Sequence, residues 1–275
     1  MSVIGHGNGG TVYKVRHRLI SSDYAVKVIQ LDKNAVEIRE QAIREAEILK
    51  RIDSQFVVKC HGVFYGRTIS NPCFLMEYME MGSLQDWLRA HRRIPEKIIS
   101  GVARWVLEGL KYLHGMSIVH GDIKPSNLLI NSKGEVKIAD FGASRMVVGT
   151  RDSCVSYTGT YTYMSPEMLE PNRLSEDHSD GYAGDVWALG LTLLECYVGH
   201  FPLIDPRQKV DWATIFCTIC LDEDPEMPEI TSPEFRSFIR HCLEKDWRKR
   251  GTASELLSHS FVSQFGSNSS EGLAS

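Results

Sequence analysis

Near Gly82 the chain changes its repeat, and that change constrains its fold more than any other feature. Before it, short β-branched and aromatic runs (Thr11–Arg16, Tyr24–Gln30, Phe56–Tyr65, Cys73–Glu77) surround one helical stretch, Ala35–Arg51. After it, apolar residues recur at threes and fours, clearest at Ile98, Ile99, Val102, Val106, Leu110 and Leu113, which share one face of a helix. Such a chain folds as α+β, a small sheet with one helix followed by a larger helical part. One hairpin interrupts the helical half: Asn131-Ser132-Lys133-Gly134 is a turn between Leu128–Ile130 and Val136–Ile138. A length of 275 residues, 43% of them apolar, suits one domain of two tightly joined lobes. The expected division is a small lobe over about 1–79, a large lobe over about 80–265, and a disordered Ser-, Gly- and Asn-rich tail over 266–275.

Charge and cysteine usage narrow the class. The net charge of -4 and pI near 6.2 leave no basic footprint for nucleic acid and no polybasic patch for a membrane. Seven cysteines, an odd number scattered through apolar segments, fit a reducing compartment better than a disulfide framework. Cys217 and Cys220 form one Cys-x-x-Cys with no second pair, so the expectation is buried helix packing within Trp212–Leu221 and not a zinc site. Val186–Val198 is apolar but too short to span a bilayer, and it contains Glu195. The N-terminus has no signal pattern, and Ser2 stands where myristoylation requires Gly, so a cytosolic or nuclear protein is expected.

The chemistry is carried by a few polar clusters. Gly5-His6-Gly7-Asn8-Gly9-Gly10-Thr11-Val12 has the form G-x-G-x-x-G-x-V, whose glycines let backbone approach phosphates while Val12 caps a base. By itself it equally describes a flexible hairpin. Ala25-Val26-Lys27 follows on the next-but-one run and sets an ammonium beneath that loop. On the following helix Glu45 can hold Lys27; Glu40 and Glu47 compete, but Glu45 and Leu49 lie four apart and point inward together.

The decisive stretch is His120-Gly121-Asp122-Ile123-Lys124-Pro125-Ser126-Asn127. Phosphoryl transfer needs a carboxylate to orient a hydroxyl and accept its proton, a cation for the migrating group and an amide oxygen for a metal; Asp122, Lys124 and Asn127 supply them. Thirteen residues beyond Asn127, Asp140-Phe141-Gly142 offers a carboxylate suited to Mg²⁺. Ser165-Pro166-Glu167 places an acid that needs a buried cation, with Arg250 the candidate, and Asp185-Val186-Trp187 is placed to brace the catalytic loop from below.

In this order and spacing the motifs resemble the eukaryotic protein kinase family from about Ile4 to Phe265. The resemblance implies a bilobal kinase fold, ATP and Mg²⁺ as cofactors, and metal ligands at Asn127 and Asp140. It also implies a nucleotide pocket of Ile4, Gly5, Gly7, Gly10, Val12, Ala25, Lys27, Met76 as gatekeeper, the backbone of Glu77 and Met79 as hinge, and Leu129. Leu49, Cys60, His120 and Phe141 would stack as an internal spine. Lys124 with Gly159-Thr160 is similar to the serine/threonine branch.

Ile118-Val119-His120, and Ser156-Tyr157-Thr158-Gly159-Thr160 before Tyr163-Met164-Ser165-Pro166-Glu167, resemble MAP kinase kinases. Thr150 and Ser156, with five residues between them, are similar to the plant form of the activation motif. The resemblance implies phosphorylation of Thr and Tyr in a MAP kinase substrate and activation by an upstream MAP kinase kinase kinase, with no nucleic acid or membrane partner.

Three departures stand out. Gly121 replaces the Arg that clasps a phosphorylated activation loop, so Arg145, Arg151 or another cation substitutes, or the enzyme is partly active unmodified. Met1 stands four residues before the glycine loop, so docking comes from elsewhere than an N-terminal arm, or the sequence is shortened. Gly9 and the small Cys60 loosen the small lobe. The alternative, favoured by the first two, is a catalytically impaired scaffold of the same pathway; against it, Lys27, Asp122 and Asp140 are all kept.

Overall fold

The computed structural model describes residues 1–7, 10–30, 36–65, 71–147, 161–170, 179–204, 211–221 and 227–263. Several positions singled out above lie outside them: Asn8, Gly9, Ala35, Thr150, Arg151, Ser156 through Thr160, and the tail from Gly266.

The first part is a five-stranded antiparallel sheet in the order β1-β2-β3-β5-β4, formed by β1 (Ser2–Gly7), β2 (Gly10–Arg16), β3 (Asp23–Ile29), β4 (Cys60–Tyr65) and β5 (Pro72–Glu77). In β3 the inward positions are Ala25, Lys27 and Ile29, so a strict period-two strand buries a lysine between two apolar residues. Register carries that face across the sheet, because Val12 stands opposite Lys27 and Met76 opposite Ala25. The small lobe's helix α1 (Val36–Arg51) buries Ala42, Glu45, Ala46, Ile48 and Leu49 at helical spacing.

The segment read as one strand from Phe56 to Tyr65 does not run as one: β4 begins at Cys60. The preceding residues are committed elsewhere. Phe56 O accepts from Ile138 N at 2.9 Å and Val58 N donates to Ile138 O at 2.9 Å, so Val57 makes a parallel bridge to the far lobe. Backbone already paired to the large lobe cannot also extend β4.

The large lobe follows. It comprises α2 (Leu84–His91), α3 (Glu96–Gly115), β6 (Ile118–Val119), β7 (Leu128–Ile130), β8 (Val136–Ile138), β9 (Arg145–Met146), α4 (Pro166–Leu169), α5 (Ser179–Val198), α6 (Trp212–Phe216), α7 (Pro233–Cys242), α8 (Ala253–Leu257) and α9 (Ser260–Ser263). Helix α2 starts on a reciprocal cap between Ser83 and Asp86. On α3 the expected face is buried at Ile99, Val102, Val106, Leu110 and Leu113, and Ile98 packs at its margin. Helix α5 is buried on nearly every side from Val186 to Cys196, so it is the axis around which the lobe packs. No helix among the described residues is long and apolar enough to cross a membrane.

The run Trp212–Leu221 departs from the expectation of buried packing. It is α6 followed by a π-helical turn, Cys217–Leu221, in which Cys217 is exposed and Trp212 is 51% exposed. Only Ile215 and Ile219, four residues apart on one face, are buried.

Candidate active site

Three segments from distant parts of the sequence meet between the lobes. Strand β3 presents Lys27, whose Nζ lies 2.7 Å from Glu45 Oε1 on α1 and 2.8 Å from Asp140 Oδ1 beyond β8. Of the three candidate acids on α1, Glu45 is the one that reaches Lys27, because it lies on the buried face at 4% exposure. Burial by itself would lower the Lys27 pKa, but the Asp140 and Glu45 carboxylates outweigh it and hold the ammonium above its ordinary value. Burial would likewise raise Asp140, yet the Lys27 charge keeps it below the usual carboxylate range.

The loop with the expected catalytic residues runs from β6 to β7. Its Asp122 is 7% exposed and meets Lys124 Nζ at 2.8 Å through Oδ2. Asn127, in a short 3-10 turn opened by Pro125, donates its amide nitrogen to both the carbonyl oxygen and Oδ2 of Asp122, each at 2.8 Å. The loop is held from three sides. His120 Nε2 donates to Ala139 O at 3.1 Å and Nδ1 accepts from Asp122 N at 3.2 Å, which sets the tautomer with the proton on Nε2. The His120 ring meets Phe141 edge-on, with centroids 5.1 Å apart. From below, Asp185 on α5 accepts from His120 N (2.9 Å), Gly121 N (2.8 Å) and His114 Nε2 (3.0 Å). Burial raises the Asp185 pKa and the His114 bond and the nearby imidazoles bring it below its ordinary value, so the brace is ionised at neutral pH.

Gly121 has φ +77°, and a Cβ there would come 3.0 Å from Ala143 O, so the residue that replaces the usual cation occupies a left-handed, tightly approached position. Arg145, one suggested substitute, packs on the first turn of α5, its guanidinium 2.6 Å from where a Cβ on Gly181 would stand. Its reach to Ser156 lies outside the described residues.

The residues expected to enclose a nucleotide lie on the sheet and just beyond β5. Val12, Ala25 and Met76 share the cleft face by register, and Ile4 stands in a bulge of β1 between Val3 and Gly5. Gly5, Gly7 and Gly10 belong to the β1–β2 hairpin. Met76 and Leu129 pack against a buried group of Val58, Met79 and Ala139. Glu77 N already donates to Lys59 O at 2.8 Å, so that amide is engaged within the small lobe. In the expected spine, Leu49, His120 and Phe141 are buried and Cys60 is half-buried.

Residue types here suit magnesium. Asn127 O accepts from Ala139 N at 2.9 Å, which sets Asn127 beside the Asp140 segment. Asn127 spends its amide nitrogen on Asp122 and retains its oxygen; the described bonds to Asp140 all converge on Oδ1. Two oxygen donors, an amide and a carboxylate, fit an ion that keeps waters and phosphate oxygens in its shell.

Sequence reading missed several contacts. The Glu77 side chain pairs with Lys137 Nζ at 2.7 Å behind the hinge. Tyr163 donates its hydroxyl to Glu195, which explains the acid inside the apolar run of α5; burial pushes both groups up. Gln41 on α1 donates to Gly142 O at 2.5 Å. Lone polar residues carry no signal of such pairing. The Arg250–Glu167 pair, by contrast, was legible, and stands bidentate at 2.6 and 3.0 Å.

A protein kinase domain profile matches residues 1–262. The chain is 52% identical over 262 residues to mitogen-activated protein kinase kinase 9 of Arabidopsis thaliana, across 95% of this chain and 83% of that protein, and equally to mitogen-activated protein kinase kinase 10 of the same plant. It is 40% identical over 269 residues to mitogen-activated protein kinase kinase 1c of Physcomitrium patens, covering 95% and 75%.

Proposed function

Since the chain belongs to the protein kinase family, among the plant MAP kinase kinases, we propose that it transfers the γ-phosphoryl group of ATP to Thr and Tyr hydroxyls in a MAP kinase activation loop. The observation that supports this most is the convergence of Lys27, Asp122, Lys124, Asn127 and Asp140 at bonding distances from one another or from shared partners. In this reading Lys27 holds the α- and β-phosphates, Glu45 keeps Lys27 in place, and Asp122 orients the incoming hydroxyl and takes its proton. Lys124 stands beside Asp122, where charge builds on the moving phosphoryl group. Asn127 and Asp140 would hold magnesium, which would supply neutralisation of phosphate charge. Glu77 and Met79 read the adenine through backbone groups, and Val12, Ala25, Met76 and Leu129 enclose it. A scaffold would tolerate loss of these groups; their retention in one cleft supports an enzyme.

Incubating the protein with Mg-ATP and a panel of kinase-dead MAP kinases, then mapping sites by mass spectrometry, should find both Thr and Tyr of a Thr-x-Tyr loop modified. Labelling of neither residue on any member would remove the reading.

We also propose that Thr150 and Ser156 receive phosphate from a MAP kinase kinase kinase, but that basal activity does not require it. Gly121 offers no guanidinium to clasp such a phosphate. Ser156→Ala is therefore expected to retain at least about half the basal rate, a barrier change under about 0.5 kcal/mol. A collapse of activity in that variant would mean another cation reads the phosphate.

A further inference from the structure

Gln41 and Glu45 lie one turn apart on the same face of α1, and both reach toward the tripeptide Asp140-Phe141-Gly142. Glu45 does so through Lys27, which bonds it at 2.7 Å and Asp140 Oδ1 at 2.8 Å. Gln41 does so directly, its Nε2 donating to Gly142 O at 2.5 Å. Asp140 Oδ1 also accepts from Gly142 N at 3.4 Å. The contacts close a ring: helix turn, Glu45, Lys27, Asp140, Gly142, Gln41.

Asp140 inside that ring has φ +62°, a left-handed conformation that is uncommon outside glycine, though Asp tolerates it better than most residues. A carboxylate held by Lys27 alone could pivot about its backbone. Fixing the carbonyl two residues on removes that freedom, because a peptide pinned at both ends cannot rotate without breaking one of the two bonds.

Position 142 is closely approached by this grip. A Cβ there would stand 3.3 Å from Gln41 Nε2, so a side chain would push the Gln41 amide by a few tenths of an ångström, while Glu45 Oε2, at 3.7 Å, would be in ordinary contact. The grip is also neutral at Gln41, an amide to a carbonyl. It therefore works without a phosphorylated activation loop, in a chain whose Gly121 lacks the cation that would read one.

We propose that Gln41 is a positioning residue, which holds Asp140 in its left-handed, metal-binding conformation by latching α1 to Gly142. The proposal rests on Asp140 as a metal ligand, and its test separates the two.

Two substitutions remove the donor while keeping helix propensity, Gln41→Leu and Gln41→Met, the second also keeping the length. Mn²⁺ binding is followed by electron paramagnetic resonance with a non-hydrolysable ATP analogue present. Amide exchange is measured on the protein without nucleotide or metal. Loss of one neutral hydrogen bond should weaken Mn²⁺ about fivefold to tenfold. The Ser144 amide, which bonds Phe141 O at 3.1 Å, should exchange several-fold faster, while amides of α5 from Leu189 to Leu194 stay unchanged.

Mn²⁺ affinity and Ser144 exchange both within about twofold of the parent, in whichever variant folds, would overturn the proposal, since that is less than one neutral bond supplies. So would faster exchange spread equally through α5, which would make Gln41 a general packing residue. A parent protein that fails to bind Mn²⁺ with the analogue would remove the metal site itself, and with it both readings.

Discussion

Asp122→Asn should reduce phosphoryl transfer by roughly 10²–10⁴-fold, the contribution of a positioned general base. The substitution is nearly isosteric, so packing around a residue only 7% exposed is preserved. What changes is charge and proton affinity. Asp122 Oδ2 takes Lys124 Nζ at 2.8 Å and Asn127 Nδ2 at 2.8 Å, and an amide at that place can offer a nitrogen where both neighbours are donors. The backbone bonds from Asp122 N to His120 and from Asn127 to Asp122 O remain available, so the loop itself should keep its course. In the proposed reading nucleotide is held elsewhere, at Lys27 and the hinge. The expected signature is therefore a fall in kcat with little change in the Kd for Mg-ATP, read by steady-state transfer to a kinase-dead MAP kinase and by calorimetry. Equal incorporation by the parent and the variant would overturn the role given to Asp122.

The second large effect is on stability. Arg250→Met should destabilise the fold by about 3–5 kcal/mol, because it leaves the Glu167 carboxylate without its partner in the interior. Glu167 is 1% and Arg250 4% exposed, and the guanidinium also donates to Ala183 O and Glu244 O, each at 2.9 Å, while it stacks over Trp187 at 5.0 Å. One side chain thus ties α4 to α5 and to the loop after α7. Removing both charges with Glu167→Leu and Arg250→Met together should recover part of the loss, since the uncompensated charge is then gone. Denaturant melts of the parent, the single variant and the pair measure this directly. A single variant within about 1 kcal/mol of the parent would show that the pair is not a structural anchor.

How legible the molecule was depends on how local the signal is. The hairpin Leu128–Ile130 and Val136–Ile138 was readable to the residue, because a Gly-containing turn and two short β-branched runs act over a few positions. Glu45 could be chosen over Glu40 and Glu47 because helical geometry alone decides which acid faces inward. The strand at Phe56–Tyr65 was over-extended for the opposite reason: its first residues have strand-like composition but bond to β8, more than seventy positions further on. The Cys217 segment failed likewise, since an apolar run reports composition, whereas exposure depends on which neighbour covers it.

By itself the sequence determined the family and the order of the two lobes, and it named the side chains proposed to carry the chemistry, since motifs and periodicity are properties of neighbouring residues. Only the tertiary structure decided who meets whom. Gln41 bonds a residue 101 positions away, Lys137 one 60 away and Tyr163 one 32 away. A hydrogen bond needs two groups within about 3 Å at a favourable angle, and no one-dimensional pattern encodes that distance.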